Sequence, residues 1–343
     1  MRKSSFAYAI KYDILTVQDR IWYSDLIDFR KKEGGFLNTH SSTKKIIRGI
    51  IINWQLYLFV LPAVIYILVY CYSPMYGLQI AFKDFRVSAG ISGSKWVGMK
   101  HFRKFLSTPS CIQLIRNTLV LSLYSLVLGF PMPILFALIS NELKEGRFKR
   151  IVQTISYAPH FISTVVMVSM ITMFLDASNG IINKLLGYLG VGPFAFMTTA
   201  SWFPSIYVIS GIWQNLGWSA IIYFAALSGI DPSLHEAAMI DGASRLQRIW
   251  FVNLPGIMPT ITVMLILQAG NIMSIGFEKV YLMQNALNSE TSEIISTFVY
   301  KMGLQYNQYS YSSAIGMFNS VINFILLVTV NMTAKRLDGT SLF

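Results

Sequence analysis

Charged residues are scarce in this chain. Asp, Glu, Lys and Arg make up 13% of its 343 residues, where a water-soluble domain carries roughly a quarter. That excludes a fully solvated surface. Acid is the scarcer sign, 16 residues against 28 basic ones, leaving a net charge of +12. The excess does not indicate nucleic acid, because the basic residues gather at the ends of apolar runs and not along one exposed stripe. Cysteine is nearly absent. Cys71 and Cys111 form no CxxC and no zinc spacing, so no metal site is expected. Both fall near the outer ends of neighbouring apolar segments, which leaves a disulfide open beside two free thiols. Residues 1–45 hold no apolar stretch long enough for the core of a signal peptide, so none is expected to be cleaved. No Gly-x-x-x-x-Gly-Lys-[Ser/Thr] phosphate loop occurs, so the chain cannot hydrolyse ATP alone. His235-Glu236 begins like a zinc-protease helix, but the fourth residue after His235 is Met239.

Apolar residues dominate what is there: 54% of the chain, with a mean hydropathy of +0.51. A helix needs about 20 apolar residues to cross the hydrocarbon core. Six stretches qualify, near 54–73, 117–140, 154–175, 202–227, 257–277 and 311–334. The expected fold is therefore an all-α membrane protein of six transmembrane helices. Pro131 and Pro133 are expected to kink the second, and Gly270 and Gly276 to loosen the fifth. With the N-terminus inside, the inner segments hold 18 Lys and Arg against 10 outside. The short run Lys144, Arg147, Lys149 and Arg150 decides the orientation, placing both termini in the cytoplasm. Residues 1–50 read as a basic extension ahead of a permease-sized domain, 51–343. Aromatic and aliphatic residues between 6 and 29 suit either a helix lying on the inner leaflet or a tail with local helix.

The six stretches contain no Asp, Glu, Lys or Arg. Ion-coupled carriers need carboxylates or relays at depth, so the chain is not expected to use an ion gradient, nor its ligand to be strongly charged. Neutral polar groups are present instead: Gln214, Asn215, Gln268, Asn271, Asn319 and Asn323, with Trp213, Trp218, Phe277 and Phe318 nearby. Amides with aromatic plates suit a hydroxyl-rich neutral ligand. The same groups also serve as hydrogen bonds between helices. The spacing selects Gln214, Asn215 and Trp218 on the fourth stretch, opposed by Gln268 and Asn271 on the fifth, as the candidate substrate-pathway set. His160 reads as a helix–helix hydrogen bonder, since no acidic partner is visible.

The segment 228–256, between the fourth and fifth stretches, has legible local chemistry. Ser233 and Glu236 have the spacing of a capping box just after Asp231-Pro232. Gly242 can end the short helix, and Ser244 can cap a second one running to Val252. Leu254-Pro255 then leads into the fifth stretch.

Glu236-Ala237-Ala238, three residues, Gly242, nine residues, Val252, one residue, Leu254-Pro255 resembles the EAA loop of type I ABC importer permeases. Val252 stands where that pattern has isoleucine. Trp96-Val-Gly-Met-Lys-His-Phe102, Arg116-Asn-Thr-Leu119, Ala158-Pro-His-Phe-Ile-Ser163 and Gly276-Phe-Glu-Lys-Val-Tyr-Leu282 resemble the maltose-type carbohydrate-uptake branch. The last two, with Ile295-Ser-Thr-Phe-Val-Tyr300, are most similar to its complex oligo- and polysaccharide subgroup. The likeness covers about residues 50–340. It implies a maltose-permease-like fold in a bacterial cell membrane. It also implies a coupling helix around Glu236 seated on a nucleotide-binding subunit, though Glu236 could simply cap that helix. The implied partners are a second permease, two ABC ATPase subunits that hold ATP and Mg, and an extracytoplasmic sugar-binding protein. The chain itself would bind no cofactor and catalyse no reaction. The competing readings are an ion-coupled secondary carrier and a membrane glycosyl- or acyl-transferase.

Overall fold

The computed structural model describes residues 52–144 and 146–338. The extension expected over 1–50 lies outside them. The chain divides into two compact units, one ending at Met75 and the other beginning at Tyr76. In the first, α1 (Trp54–Tyr66) carries Pro62 and runs into a wide π turn at Ile67–Tyr72.

The second unit is built from α2 (Lys100–Leu106), α3 (Ser110–Tyr124), α4 (Pro131–Asn141), α5 (Arg147–Tyr157), α6 (Thr164–Phe174), α7 (Ile181–Tyr188) and α8 (Phe203–Ser228). It continues with α9 (Pro232–Ile240), α10 (Arg245–Arg248), α11 (Leu254–Ala269), α12 (Phe277–Met283), α13 (Ile295–Tyr300) and α14 (Tyr309–Asp338). Two short antiparallel strands, β1 (Lys83–Asp84) and β2 (Lys95–Trp96), close a hairpin that the Lys100–Asp84 ion pair at 2.7 Å ties to α2.

Among the described residues, four helical runs are long and apolar enough to cross a membrane: Trp54–Phe82, Ser110–Asn141, Arg245–Ala269 and Tyr309–Arg336. Arg147–Phe161 with Thr164–Phe174 makes a fifth if the bent pair counts as one. The stretch expected as the third span is thus two helices at 101°. Pro159 lacks an N–H, the chain tightens into a 3-10 turn at Ala158–Phe161, and the Ser163 hydroxyl caps α6 by accepting from Val166 N–H. A π turn, Ser125–Gly129, lies just ahead of Pro131 and Pro133, where a kink is expected. α8 has 26 residues, about 39 Å of helix at 1.5 Å per residue. It is long enough to cross a membrane but is not among those four runs.

α8 is the axis of the second unit. Leu121, Val168, Phe203, Tyr207, Val208 and Val280 join it to α3, α6 and α12. Ile134, Leu138, Ala220, Tyr223 and Ile257 join it to α4 and α11. A third cluster, with Phe105, Leu114, Met273 and Ile315, packs α2 and α3 against α14. Cys111 is buried in that cluster, Cys71 is exposed, and both thiols are free. The outward faces remain apolar, Phe324 being 66% and Val127 65% exposed, as lipid-facing or partner-facing helices require.

α8 meets α5 at Gly217. A Cβ there would stand 2.3 Å from the Ser156 carbonyl oxygen and 2.8 Å from the Tyr157 ring. Backbone cannot move aside as a side-chain tip can, so Gly217→Ala forces the two helices apart, at a cost of about 1–3 kcal/mol. We expect lower thermal stability and yield for this variant. Gly316→Ala, where a Cβ meets nothing within 4 Å, is the control. Equal melting of both proteins would refute this account of the crossing.

Candidate functional site

Two adjoining cavities open along α11. The first, about 350 Å³, is lined by Ser125, Tyr207, Asn215, Gln214, Gln268 and Lys279 among others. The second, about 420 Å³, lies between α3 and α11 and includes Asn271. They share Ser125, Met264 and Gln268.

Four of the five residues expected on a substrate pathway therefore line these cavities, but their polar atoms are engaged to different degrees. Gln214 donates from Nε2 to the Ile162 carbonyl at 3.0 Å. That carbonyl belongs to the break between α5 and α6, so the amide replaces a bond that the broken helix cannot make. Asn215 Oδ1 lies 3.0 Å from His160 Nδ1, and its Nδ2 donates to the Gly211 carbonyl. Asn271, two residues past the end of α11, donates to the Leu267 carbonyl of that helix. The Gln268 side-chain amide has no hydrogen-bond partner among the described residues, which makes it the amide most available to a ligand. Trp218 lines neither cavity. It stacks on His160, with ring centroids 4.4 Å apart and planes 4° apart, and meets Phe161 edge-on. His160 is thus the helix–helix contact that its lack of an acidic partner suggests. Asn323 works as Gln214 does, accepting from Met273 N–H at 2.8 Å where the chain leaves α11, while the Ser122 hydroxyl donates to the Ile272 carbonyl.

The expectation of an uncharged interior needs correction. Lys279, two residues beyond the fifth apolar stretch, is 8% exposed and lines the first cavity. Its ammonium donates to the Tyr207 carbonyl at 2.7 Å and lies 4.6 Å from the Tyr207 ring centroid. A hydropathy reading ends the span at Phe277 and so misses it. The fold turns α12 back onto α8.

The segment 228–256 forms the helix–turn–helix expected, with two changes. The residue capping α9 is Asp231, which accepts from Ser233 N–H at 2.9 Å. That bond holds its carboxyl below the usual carboxylate range. Ser233 and Glu236 form no capping box. Gly242, at φ +77°, ends α9, with Ala243 N–H reaching the Ala238 carbonyl and Gly242 N–H the Met239 carbonyl. Ser244 and Gln247 form the capping box of α10. The second change is that this helix does not stop at Val252. It passes through a π turn, Ile249–Asn253, and runs on as α11 past Leu254 and Pro255. The wide turn accommodates the N–H that Pro255 lacks. Glu236 is exposed and unpaired among the described residues. Near it Leu234, Met239 and Ile240 point outward, Ile240 being 86% exposed, while Ala237 and Ala238 keep α9 slim.

Glu142, at the end of α4, was not singled out from the sequence. Its carboxylate accepts from Arg248 Nη2 and Asn253 Nδ2, both at 3.2 Å, and the ion pair is largely shielded. This joins α4 to the second half of the loop. Truncating one partner of a shielded pair strands the other. We expect Glu142→Ala to raise amide hydrogen exchange across 244–253 by about tenfold. Glu142→Gln, which can still accept from Asn253, is expected to fall between. Unchanged exchange in both would show that the clamp holds nothing.

The family described as binding-protein-dependent transport system inner membrane component matches residues 129–339. The polygalacturonan/rhamnogalacturonan transport system permease protein YteP of Bacillus subtilis (strain 168) is 43% identical over 300 residues, 88% of this chain and 94% of that one. Protein LplB of the same organism is 42% identical over 288 residues, covering 84% and 91%. Among solved structures, a chain of a bacterial ABC transporter involved in the import of the acidic polysaccharide alginate superimposes with a TM-score of 0.80. It shares 39% identity, covering 86% of this chain and 99% of that one. A second structure holds that transporter in complex with an alginate pentasaccharide-bound periplasmic protein, at the same TM-score.

Proposed function

The chain belongs to the family of binding-protein-dependent transport system inner membrane components, and from that premise we propose that it carries an oligosaccharide or complex glycan inward. It is a multi-pass cell-membrane protein, a permease subunit of a sugar ABC transporter, and not an enzyme. Family membership lends no support to an ion-coupled carrier or a membrane transferase.

On this reading α8 and the bent α5–α6 pair complete six spans with both termini in the cytoplasm, and residues 51–343 form the permease domain behind a basic extension. The chain pairs with a second permease, and the two line the pathway. Two ATPase subunits, carrying the ATP and Mg, dock on the loop 228–256. An extracytoplasmic binding protein delivers the sugar. One observation carries the ATPase interface: α9 projects an unpaired Glu236 amid exposed Leu234, Met239 and Ile240. A charge ringed by apolar side chains, with nothing among the described residues to cover it, is a surface built for a partner. Ala237, Ala238 and Gly242 permit close approach. Val252, Leu254 and Pro255 carry the motion into α11.

Glu236→Ala is expected to leave expression and membrane insertion intact while abolishing binding-protein-stimulated ATP hydrolysis and uptake in the reconstituted complex. Uptake near the wild-type level would remove Glu236 from the interface.

For the pathway, Gln268 and Asn215 are proposed to bond the sugar, with Asn271 beside them. Gln214 and Trp218 act through the bent segment. Losing one buried ligand hydrogen bond costs roughly 1–3 kcal/mol, a five- to hundredfold weaker transport constant. Gln268→Ala is expected to show this without loss of thermal stability, and Gln214→Ala to lower both. Wild-type transport in Gln268→Ala would place the sugar elsewhere, first of all on the partner permease.

A further inference from the structure

The Lys279 ammonium stands in a setting that the fold alone does not explain. It is buried, and of its three N–H donors the structure engages one, on the Tyr207 carbonyl. Among the described residues no carboxylate pairs with it. Glu278, next in the chain, is exposed, and the residues lining the cavity include no Asp or Glu. A buried cation without a counter-charge is costly. A hydrophobic or amide side chain would pack α12 against α8 without that cost. Nor is the ammonium there by accident of packing. The position facing it on α8 is Gly211, where a Cβ would stand 3.2 Å from Nζ, so α8 leaves space for the charged tip. Around it the cavity offers the Asn215 and Gln268 amides, the Ser125 and Ser219 hydroxyls, and the Tyr207 and Tyr223 rings. These suit hydroxyls and a sugar face. What they lack, and Lys279 supplies, is a partner for one negative charge.

We propose that Lys279 is a specificity-determining residue of the translocation pathway and receives the carboxylate of a uronic acid unit in an anionic oligosaccharide. The inference rests on the reading of the chain as a sugar importer and narrows its substrate class. A single ammonium with two free donors matches one carboxylate. Gly211 gives the ammonium room to meet its ligand, and the Tyr207 ring behind it holds the cation on the α8 side of the cavity. Sugar units without the acid would enter the same space and leave Lys279 uncompensated, so neutral glycans are disfavoured by the desolvation that the acidic one relieves.

The test uses the whole complex, with the second permease, the ATPase subunits and the binding protein, in proteoliposomes. The probes are a galacturonic acid tetrasaccharide and the same tetrasaccharide reduced at its carboxyls to neutral galactose units. Uptake of each is compared in wild type, Lys279→Gln, Lys279→Arg and Gly211→Ala. Because the binding protein is the same throughout, the change in the acid-to-neutral ratio isolates the permease. We expect Lys279→Gln to lower that ratio roughly ten- to hundredfold, Lys279→Arg to retain most of it, and Gly211→Ala to lower it by crowding the ammonium. Assembly of the complex is expected to be unchanged. A Lys279 that merely pins α12 to α8 would depress both probes alike, and an unaltered ratio in Lys279→Gln and Gly211→Ala overturns the proposal. Wild type importing only the neutral probe also overturns it while leaving sugar import standing. If wild type imports neither and neither stimulates ATP hydrolysis, the assignment of Lys279 fails, while import of a glycan with another backbone still stands.

Discussion

The absence of a side chain at residue 217 sets the position of almost everything around the cavities. With no Cβ to hold the backbones apart, α8 presses onto the last turn of α5 at Ser156 and Tyr157. The residues flanking that contact on α8, Gln214, Asn215 and Trp218, then fall within reach of the turn where α5 breaks. Gln214 satisfies the loose Ile162 carbonyl, Asn215 meets His160, and Trp218 covers the His160 ring. A 101° bend in an apolar environment exposes backbone polar groups that water cannot reach. It persists here because a neighbouring helix comes close enough to bond them. Widening that approach by one methyl group removes the condition for the bend.

This explains why the amides of the apolar stretches were only half legible. From the sequence, Gln214, Asn215, Gln268, Asn271 and Asn323 are alike: neutral, polar and deep. Their difference arises from where the helices break, and helix breaks inside apolar runs are poorly marked. Pro159 and Ser163 do mark one, since a residue without an N–H followed by a good N-cap is a stop and a restart. The break after α11 has Gly270 and Gly276 to signal it, and Asn323 and Ser122 are the groups that service it. Gln268 escapes such duty and stays free to bond something else. Lys279 was illegible for another reason. Hydropathy places it in a loop past the end of a span, and only the return of α12 onto Tyr207 makes it a wall of the cavity.

The loop 228–256 was legible nearly throughout because its structure is set by neighbours along the chain. Asp231 and Ser244 cap, Gly242 turns at positive φ, and each acts within three or four residues. The errors are local too. Asp231 outcompeted Ser233 as the cap because Pro232 already occupies the first helical turn. Pro255 did not divide α10 from α11 because a π turn can pass a residue lacking an N–H without ending a helix. Glu142 was invisible for the opposite reason, since its partners lie over a hundred residues away.

That continuity of α10 into α11 has a mechanical consequence. Arg245–Ala269 is one helical run of 25 residues, about 37 Å at 1.5 Å per residue. One end carries Arg248 and Asn253, clamped to Glu142 of α4. Toward the other end stand Met264 and Gln268, which line both cavities. α4, bound by the same clamp, contributes Pro133 to the first cavity, and Phe130 just ahead of α4 lines it too. Had the loop ended in a flexible joint at Leu254-Pro255, a push on α9 would be absorbed there. With a stiff helix, a clamp at its base, and Gly256 set against Ile230 closely enough that a Cβ would clash, displacement of the loop moves two walls of the cavity together. The wall opposite is α8, held on its far side by Gly217 against α5, and it carries Lys279 through the Tyr207 carbonyl. On the proposed reading, ATPase closure therefore shifts Gln268 relative to Lys279 as packed helices slide or rotate. The Gln268 contact to the sugar and the Lys279 contact to its carboxylate sit on different sides of that movement, so a ligand bridging both is bound tightly in one state and released in the other.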